Sequence, residues 1–265
     1  MSTVTYWFTD VRAVTLRNIT RYRRTPDLLV WGTAQPLMFV LLFSQVLGGA
    51  IDVPGQNYTS FLMAGIFVQT MVFGGTFSGI LMAEDRKKGL IDRFRTLPMA
   101  PSAVLVGRTL GDLVLSTATL VVMVLAGLAV GWRFDNGVPG LLGGLALLLV
   151  FSWSFAWVLV WLGLIVKSPE ALNSASFMIL FPLSFLSNGF VPAETMPAAL
   201  ETFANWNPVS ALVQATRELF GNTGGAPVPD VWTMQHPALT VLIGCAVMVA
   251  VFATAATRRF RRVSS

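Results

Sequence analysis

Charge is what this sequence has least of. Of its 265 residues only 12% are Asp, Glu, Lys or Arg, about half the roughly 25% typical of soluble globular chains. That scarcity excludes an ordinary water-facing surface. There is a single cysteine, Cys245, so neither an intramolecular disulfide nor a cysteine-based metal site is expected. The single histidine, His236, stands at a predicted span entrance and reads as an interfacial residue, and no metal site is expected. The first 27 residues hold five arginines and no apolar core, which is not the make-up of a secretory signal. No glycine-rich phosphate loop of the Walker type occurs, nor any polar stretch long enough for a nucleotide-binding or catalytic domain. The chain itself is expected to catalyse nothing and to hold no cofactor.

What the sequence has instead is apolar length. Hydrophobic residues make up 54% of it, gathered into long uninterrupted runs. A helix needs about 20 apolar residues to cross a hydrocarbon core of roughly 30 Å. Backbone groups in hydrocarbon must pair within helices or closed barrels, and runs of this length without period-2 alternation select helices. The predicted fold is an all-α polytopic membrane protein, a single transmembrane domain over 1–265. Its six transmembrane helices fall at 28–47, 61–83, 103–130, 140–166, 171–190 and 237–257. Only the third carries charge, Arg108 and Asp112.

Orientation follows from the cations. Arg12, Arg17, Arg21, Arg23 and Arg24 precede the first span, and Arg86, Lys87, Lys88, Arg93 and Arg95 lie between the second and third. Lys167 lies between the fourth and fifth, and Arg258, Arg259, Arg261 and Arg262 follow the sixth. Fifteen of the eighteen basic residues thus share one side, which the positive-inside rule makes cytoplasmic, together with both termini. The net charge of +5 then reports topology and contact with anionic membrane lipids, not nucleic-acid binding. The expected location is the cell membrane.

Residues 1–27 are amphipathic. Trp7, Phe8, Val11 and Val14 recur at helical spacing among Arg12, Arg17 and Arg21, which predicts an interfacial helix that turns into the first span at Thr25–Pro26. On the outer side, 191–236 carries apolar residues spaced for helices too short to cross. Asn207–Pro208 reads as an N-cap followed by Pro at the first helical position. Two short re-entrant helices over 191–220 are expected, followed by a loop rich in glycine and proline. Irregular backbone at that depth needs a protein or cavity cover, so an outer vestibule is implied.

The informative cytoplasmic segment is 84–98, Glu-Asp-Arg-Lys-Lys-Gly-Leu-Ile-Asp-Arg-Phe-Arg-Thr-Leu-Pro. Leu90, Ile91, Phe94 and Leu97 form one helical stripe and Pro98 ends it. An apolar ridge in a charged collar suits docking into another protein's groove, and it equally suits a helix resting on lipid. Periodicity does not choose between the two.

Three stretches together bear a resemblance. The run Y-T-S-F-L-M-A-G-I from Tyr58 is followed by G-I-L-M-A-E-D-R-K-K-G-L-I-D-R-F-R-T-L-P-M and G-R-T-L-G-D-L. Farther on stand F-P-L-S-F-L-S-N-G-F-V-P-A-E-T-M-P at 181–197 and N-P-V-S-A-L-V-Q-A-T-R-E-L at 207–219. In this order the chain resembles the permease subunits of type-2 ABC exporters, in their daunorubicin-resistance branch. Ala64–Gly65 departs from a common Pro-Gly of that family, which touches only local helix geometry. The resemblance implies that the second cytoplasmic segment is a coupling helix inserted into a separate ATP-binding subunit. Its matching positions are Glu84, Asp85, Gly89, Leu90, Asp92, Arg93, Phe94, Leu97 and Pro98. It further implies two copies of that ATPase, which bind the ATP and Mg, and a second permease half, identical or different. It places the candidate outer gate at Asn188, Phe190, Pro192, Asn207 and Pro208. The expected function is export of a hydrophobic or amphipathic drug or lipid, with a lipid-linked glycan as an alternative cargo.

Arg108 and Asp112 stand at i, i+4 and can pair on one helix face. Asp112 lies deep enough to need a partner, and the alternative to a structural pair is a proton or substrate site. Gly75–Gly79, Gly107–Gly111 and Gly140–Gly144 permit close helix packing. Pro36 and Pro182 predict kinks, and most of the eight tryptophans read as interface anchors. An ion-coupled secondary transporter is the rival reading, but it would need several intramembrane acids or broken helices, and only Asp112 is available.

Overall fold

The computed structural model describes residues 3–25, 27–47, 57–96, 99–224 and 228–262. Among them every regular element is helical. In chain order these are α1 (Thr3–Arg24), α2 (Asp27–Leu42), α3 (Tyr58–Lys87), α4 (Leu90–Thr96), α5 (Pro101–Ala129) and α6 (Gly137–Gly163). Then come α7 (Pro169–Phe185), α8 (Ala198–Trp206), α9 (Pro208–Phe220), α10 (Trp232–Gln235) and α11 (Pro237–Arg262). A five-residue π-helical segment, Phe43–Leu47, continues α2, and a 3₁₀ turn, Ala193–Thr195, precedes α8.

Among the described residues four helices are long and apolar enough to cross a membrane: α3, α5, α6 and α11. They differ in station. Over its most apolar stretch 78% of α3 is buried, against 11% of α11, so α3 is the central post and α11 an outer one. α3 packs against α2, α5, α6, α7 and α9, while α11 leans on α6 and α9. The remaining two predicted spans are shorter than their apolar runs. α2 leaves α-geometry at Phe43, about two turns beyond its internal Pro36. α7 has 17 residues and ends at Phe185, not at 190. Pro182 inside it offers no N–H to the preceding turn, and the chain turns three residues later.

Two apolar cores stack along the bundle. The larger gathers Leu62, Phe67, Met71, Leu148, Leu212 and Phe220 around α3. The smaller, at the end that carries α4, gathers Met82, Ile91, Leu105, Trp157, Val160 and Phe260.

α1 lies along α5. The seam is narrow because α5 presents glycine there. A methyl at Gly107 would stand 2.7 Å from the Val11 carbonyl oxygen, and one at Gly111 would stand 2.7 Å from the Asn18 Cβ. Trp7 Nε1 donates to Ser102 Oγ at 3.1 Å, and Thr15 Oγ1 donates to the Gly107 carbonyl at 3.0 Å. The inner face of α1 is thus used on protein, leaving Tyr6, Phe8 and Leu16 exposed on its other side.

On the far end, the α5–α6 connection is clasped to α9. The fully buried Trp132 donates from Nε1 to Asn222 Oδ1 at 2.8 Å, and the Asp135 N–H donates to the Phe220 carbonyl at 2.8 Å. α9 begins with the Asn207 side chain accepting from the Val209 N–H at 2.9 Å, Pro208 in its first turn, and ends on Gly221 at φ 79°.

Candidate functional site: the end of α3 and the turn beyond α7

Three consecutive residues at the end of α3 reach three different elements. Glu84 accepts from Arg21 Nη2 of α1 at 3.1 Å and from Lys88 Nζ at 3.1 Å. Asp85 accepts from Arg108 Nη1 of α5 at 2.5 Å and from Arg21 Nη1 at 3.3 Å, with Arg17 Nη2 at 3.6 Å. Arg86 Nη1 donates to the carbonyls of Leu164, Ile165 and Val166 at 3.1–3.3 Å. Those carbonyls lie at the end of α6, where a helix leaves acceptors unpaired and favours a cation. The end of α3 therefore ties α1, α5 and α6 to the start of α4.

Asp85 and Arg108 are both buried, at 3% and 5% exposure. The pair expected between Arg108 and Asp112 is not the one that forms. Arg108 reaches back to α3, and Asp112 Oδ1 instead accepts from the Tyr22 hydroxyl of α1. The reason is geometric: α1 and α3 each flank one side of α5, so each residue finds a neighbour across a helix seam before its own turn. Asp112 Oδ2 and Arg108 Nε have no hydrogen-bond partner among the described residues. Burial is the main influence on both α1 side chains. It pulls the Arg17 guanidinium below its ordinary value, with the Asp85 charge opposing, and pushes the Tyr22 phenol up, with the Asp112 charge adding to it.

Beyond Lys87 the chain reverses at Gly89, φ 67°, and enters α4. The expected apolar ridge points inward here. Ile91 is buried at 3% in the smaller core and Phe94 packs partly against it. The Arg17 guanidinium lies 4.7 Å from the Phe94 ring centroid, within cation–π reach. An apolar stripe at the end of the bundle covers the bundle's own core before it can offer itself to a partner. What α4 and the turn before it leave outward is polar, with Lys88, Arg93 and Thr96 exposed and Asp92 half-buried. Gly89 and Leu90 are half-buried at the bend. Leu97 and Pro98 lie outside the described residues.

At the other end, the turn after α7 closes on Arg217 of α9. Its Nη2 donates to the Asn188 carbonyl at 2.7 Å and the Gly189 carbonyl at 3.3 Å, and its Nε donates to the Phe61 carbonyl at 3.2 Å. The guanidinium also lies 3.6 Å over the Phe61 ring. No carboxylate holds this buried cation among the described residues; three carbonyls and an aromatic face do. Asn188 N–H donates to Ser210 Oγ at 3.1 Å, and the Tyr58 hydroxyl donates to the Phe190 carbonyl at 3.1 Å. The Phe190 ring stacks on Phe185 and meets Phe43 of the π segment. Asn207 Nδ2 donates to the Leu183 carbonyl at 2.7 Å. Of the gate residues expected from sequence, Asn188, Phe190, Asn207 and Pro208 come together here. Pro192 only starts the 3₁₀ turn, where its carbonyl accepts from Thr195.

Sequence reasoning overlooked Tyr22 and Arg217. Both carried a signal. Val11, Val14, Asn18 and Tyr22 continue the inner stripe of α1, so a polar residue on that stripe announces a buried partner. Arg217 stands seven residues after Ser210, on the buried face of α9, where a cation is out of place unless bonded.

Over residues 9–220 the chain matches the family described as ABC-2 type transporter. It is 35% identical over 245 residues to the daunorubicin resistance ABC transporter permease protein DrrB1 of Streptomyces coeruleorubidus, covering 92% of this chain and 83% of that protein. It is 25% identical over 216 residues to the doxorubicin resistance ABC transporter permease protein DrrB of Mycobacterium tuberculosis (strain ATCC 25618 / H37Rv), covering 82% and 75% respectively.

Proposed function

Because the chain belongs to the ABC-2 type transporter family and is the membrane permease subunit of an ABC exporter, we propose how it works within that assembly. Six helices cross the cell membrane, α2 with its π continuation and α7 joining the four long ones, with both termini cytoplasmic. Two permease halves face each other, and each receives a separate ATPase subunit, which binds ATP and Mg. The cargo is an amphipathic drug, as the relatives' names suggest, or a lipid, which the apolar walls would equally suit. This chain holds no catalytic group for ATP; it converts ATPase motion into movement of helices.

The observation that carries the reading is the clasp at the end of α3. Asp85, buried between Arg108, Arg21 and Arg17, joins α1, α3 and α5 into one block next to α4. A push on α4 then moves three elements as a rigid body, the kind of displacement by which domain motions are transmitted. Since Ile91 and Phe94 face inward, the surface that meets the ATPase is the polar one, with Lys88 and Arg93 central.

The test is co-purification of the ATPase with Lys88→Glu/Arg93→Glu. Both side chains are exposed, so membrane insertion and folding should be retained while ATPase capture is lost. Capture equal to wild type would overturn the assignment of α4. Flux driven by a proton gradient without the ATPase would overturn the exporter mechanism itself.

A further inference from the structure

Between α3, α5 and α6 lies a cavity of about 30 Å³ that the mechanism above does not use. A single water needs about 10–15 Å³ measured this way, so the space suits an ion with one water and no organic cargo. Thr70 and Ser78 of α3, Asp112, Ser116 and Thr119 of α5, and Ser152 of α6 line it.

Charge bookkeeping around Asp112 points to the occupant. Asp112 is 7% exposed. Its Oδ1 accepts from the Tyr22 hydroxyl on the α1 side, and its Oδ2 has no hydrogen-bond partner among the described residues. Arg108, one turn earlier, gives Nη1 to Asp85, and Arg17 and Arg21 also reach Asp85. Asp112 is thus left with one neutral donor, whereas a charge at this depth calls for a partner of opposite sign. The neighbouring hydroxyls suit a cation too. Thr70 Oγ1 spends its hydrogen on the Ile66 carbonyl at 2.7 Å, and Ser116 Oγ and Ser152 Oγ share one across 2.9 Å. Lone pairs remain on these oxygens. Trp153 Nε1, also at the cavity, is a buried donor without an acceptor among the described residues. A water bound to a cation can accept from it.

The ligand set selects the kind of cation. One carboxylate among neutral oxygens leaves a single charge to balance. Among the described residues no three His, Cys, Asp or Glu side chains gather, so transition metals and calcium lack the ligands they prefer. Magnesium keeps several waters, more than this volume admits. Alkali ions take neutral oxygens in place of their hydration shell, so the scarcity of cysteine and histidine does not bear on them. We infer that this cavity binds a monovalent metal cation of the sodium kind on Asp112, Ser116, Ser152 and Thr70, with one water on Trp153 Nε1. The ion draws α3, α5 and α6 together near the Asp85 clasp, and the Tyr22 hydroxyl extends the tie to α1. Such an ion binds whether or not the chain works as an exporter.

The permease, purified with its ATPase in phosphatidylcholine nanodiscs, is titrated with radioactive sodium chloride, N-methylglucamine chloride holding the ionic strength constant. Saturable uptake of one ion per permease chain is expected, displaced by unlabelled sodium and not by N-methylglucamine, which is too large for the cavity. Asp112→Asn keeps an oxygen for the Tyr22 hydroxyl but removes the charge, and it should abolish uptake. Ser116→Ala leaves the carboxylate in place and should weaken uptake about tenfold or more, the loss typical when a group supporting a metal is removed. If Asp112→Asn fails to fold, as tryptophan fluorescence reports, Ser116→Ala decides. Absence of saturable uptake, or uptake unchanged in either folded variant, would overturn the inference and leave water alone in the cavity. ATPase retention is scored separately in the same preparations. Loss of the ATPase with sodium uptake intact counts against the exporter assembly alone, and loss of uptake with the ATPase retained counts against the ion alone.

Discussion

Replacing Asp85 with Asn should unseat the cytoplasmic end of the bundle, and the structure sets the scale. Asp85 is the carboxylate nearest Arg108, at 2.5 Å, and both are buried. Removing one member of a buried ion pair typically costs about 3–5 kcal/mol, because the remaining charge is left uncompensated. Here the value should fall near the lower limit, about 3 kcal/mol, since the Asp112 carboxylate still acts on Arg108 and Asn can still accept one bond. The pairs with Arg21 and Arg17 are partly exposed and add only about 0–1 kcal/mol each. Exchanging both partners for apolar residues of similar volume, Asp85→Leu with Arg108→Met, should recover most of the loss, as buried pairs often tolerate such exchange. The assay is equilibrium unfolding in mixed micelles with increasing dodecyl sulfate, followed by tryptophan fluorescence, on Asp85→Asn, on Asp85→Leu and Arg108→Met singly, and on the double. A loss below about 1 kcal/mol in Asp85→Asn, far under the cost of breaking a buried pair, would refute the reasoning. So would a double variant weaker than either single one.

Two further outcomes test the other ends of the frame. Gly107→Leu should detach α1 from α5, because even a methyl there would stand 2.7 Å from the Val11 carbonyl oxygen and 2.8 Å from the Val14 Cβ. Limited proteolysis should then release α1 while α3–α11 stay protected, and equal resistance to cleavage would show that the seam is not where the glycines place it. Arg217→Lys should loosen the turn after α7 despite keeping the charge, since an ammonium lacks the planar fork that spans three carbonyls and the Phe61 face. Its cost should be about 2 kcal/mol, in the range for bonds to a charged group, measured by the same unfolding assay. A lysine variant as stable as wild type would sink that account.

How much of this was legible beforehand depends on range. The all-helical class and the long helices α3, α5, α6 and α11 follow from run length alone. The family is legible too, because its motifs are contiguous strings such as 84–98 and 181–197. The glycine pairs were weak signals, yet Gly107–Gly111 marks the α1 seam and Gly144 lies against the Phe220 ring. Periodicity correctly grouped Ile91 with Phe94 on one stripe but could not tell which way the stripe faces. Facing is decided by what lies beneath, here Leu105 and Phe260, brought in from α5 and α11.

The sequence by itself determined helical content, the apolar lengths and the family, all of which depend on neighbours a few residues apart. Only the tertiary structure decided the partners. Asp85 and Arg108 are 23 residues apart, Arg217 and Asn188 29, and Tyr22 and Asp112 90. A side chain's spacing announces the face on which it lies, but its partner is chosen by how helices pack. In a low-dielectric interior a charge takes the nearest compensating group in space. That is why Arg108 turned from the acid one helical turn away in its own helix to the one at the end of α3.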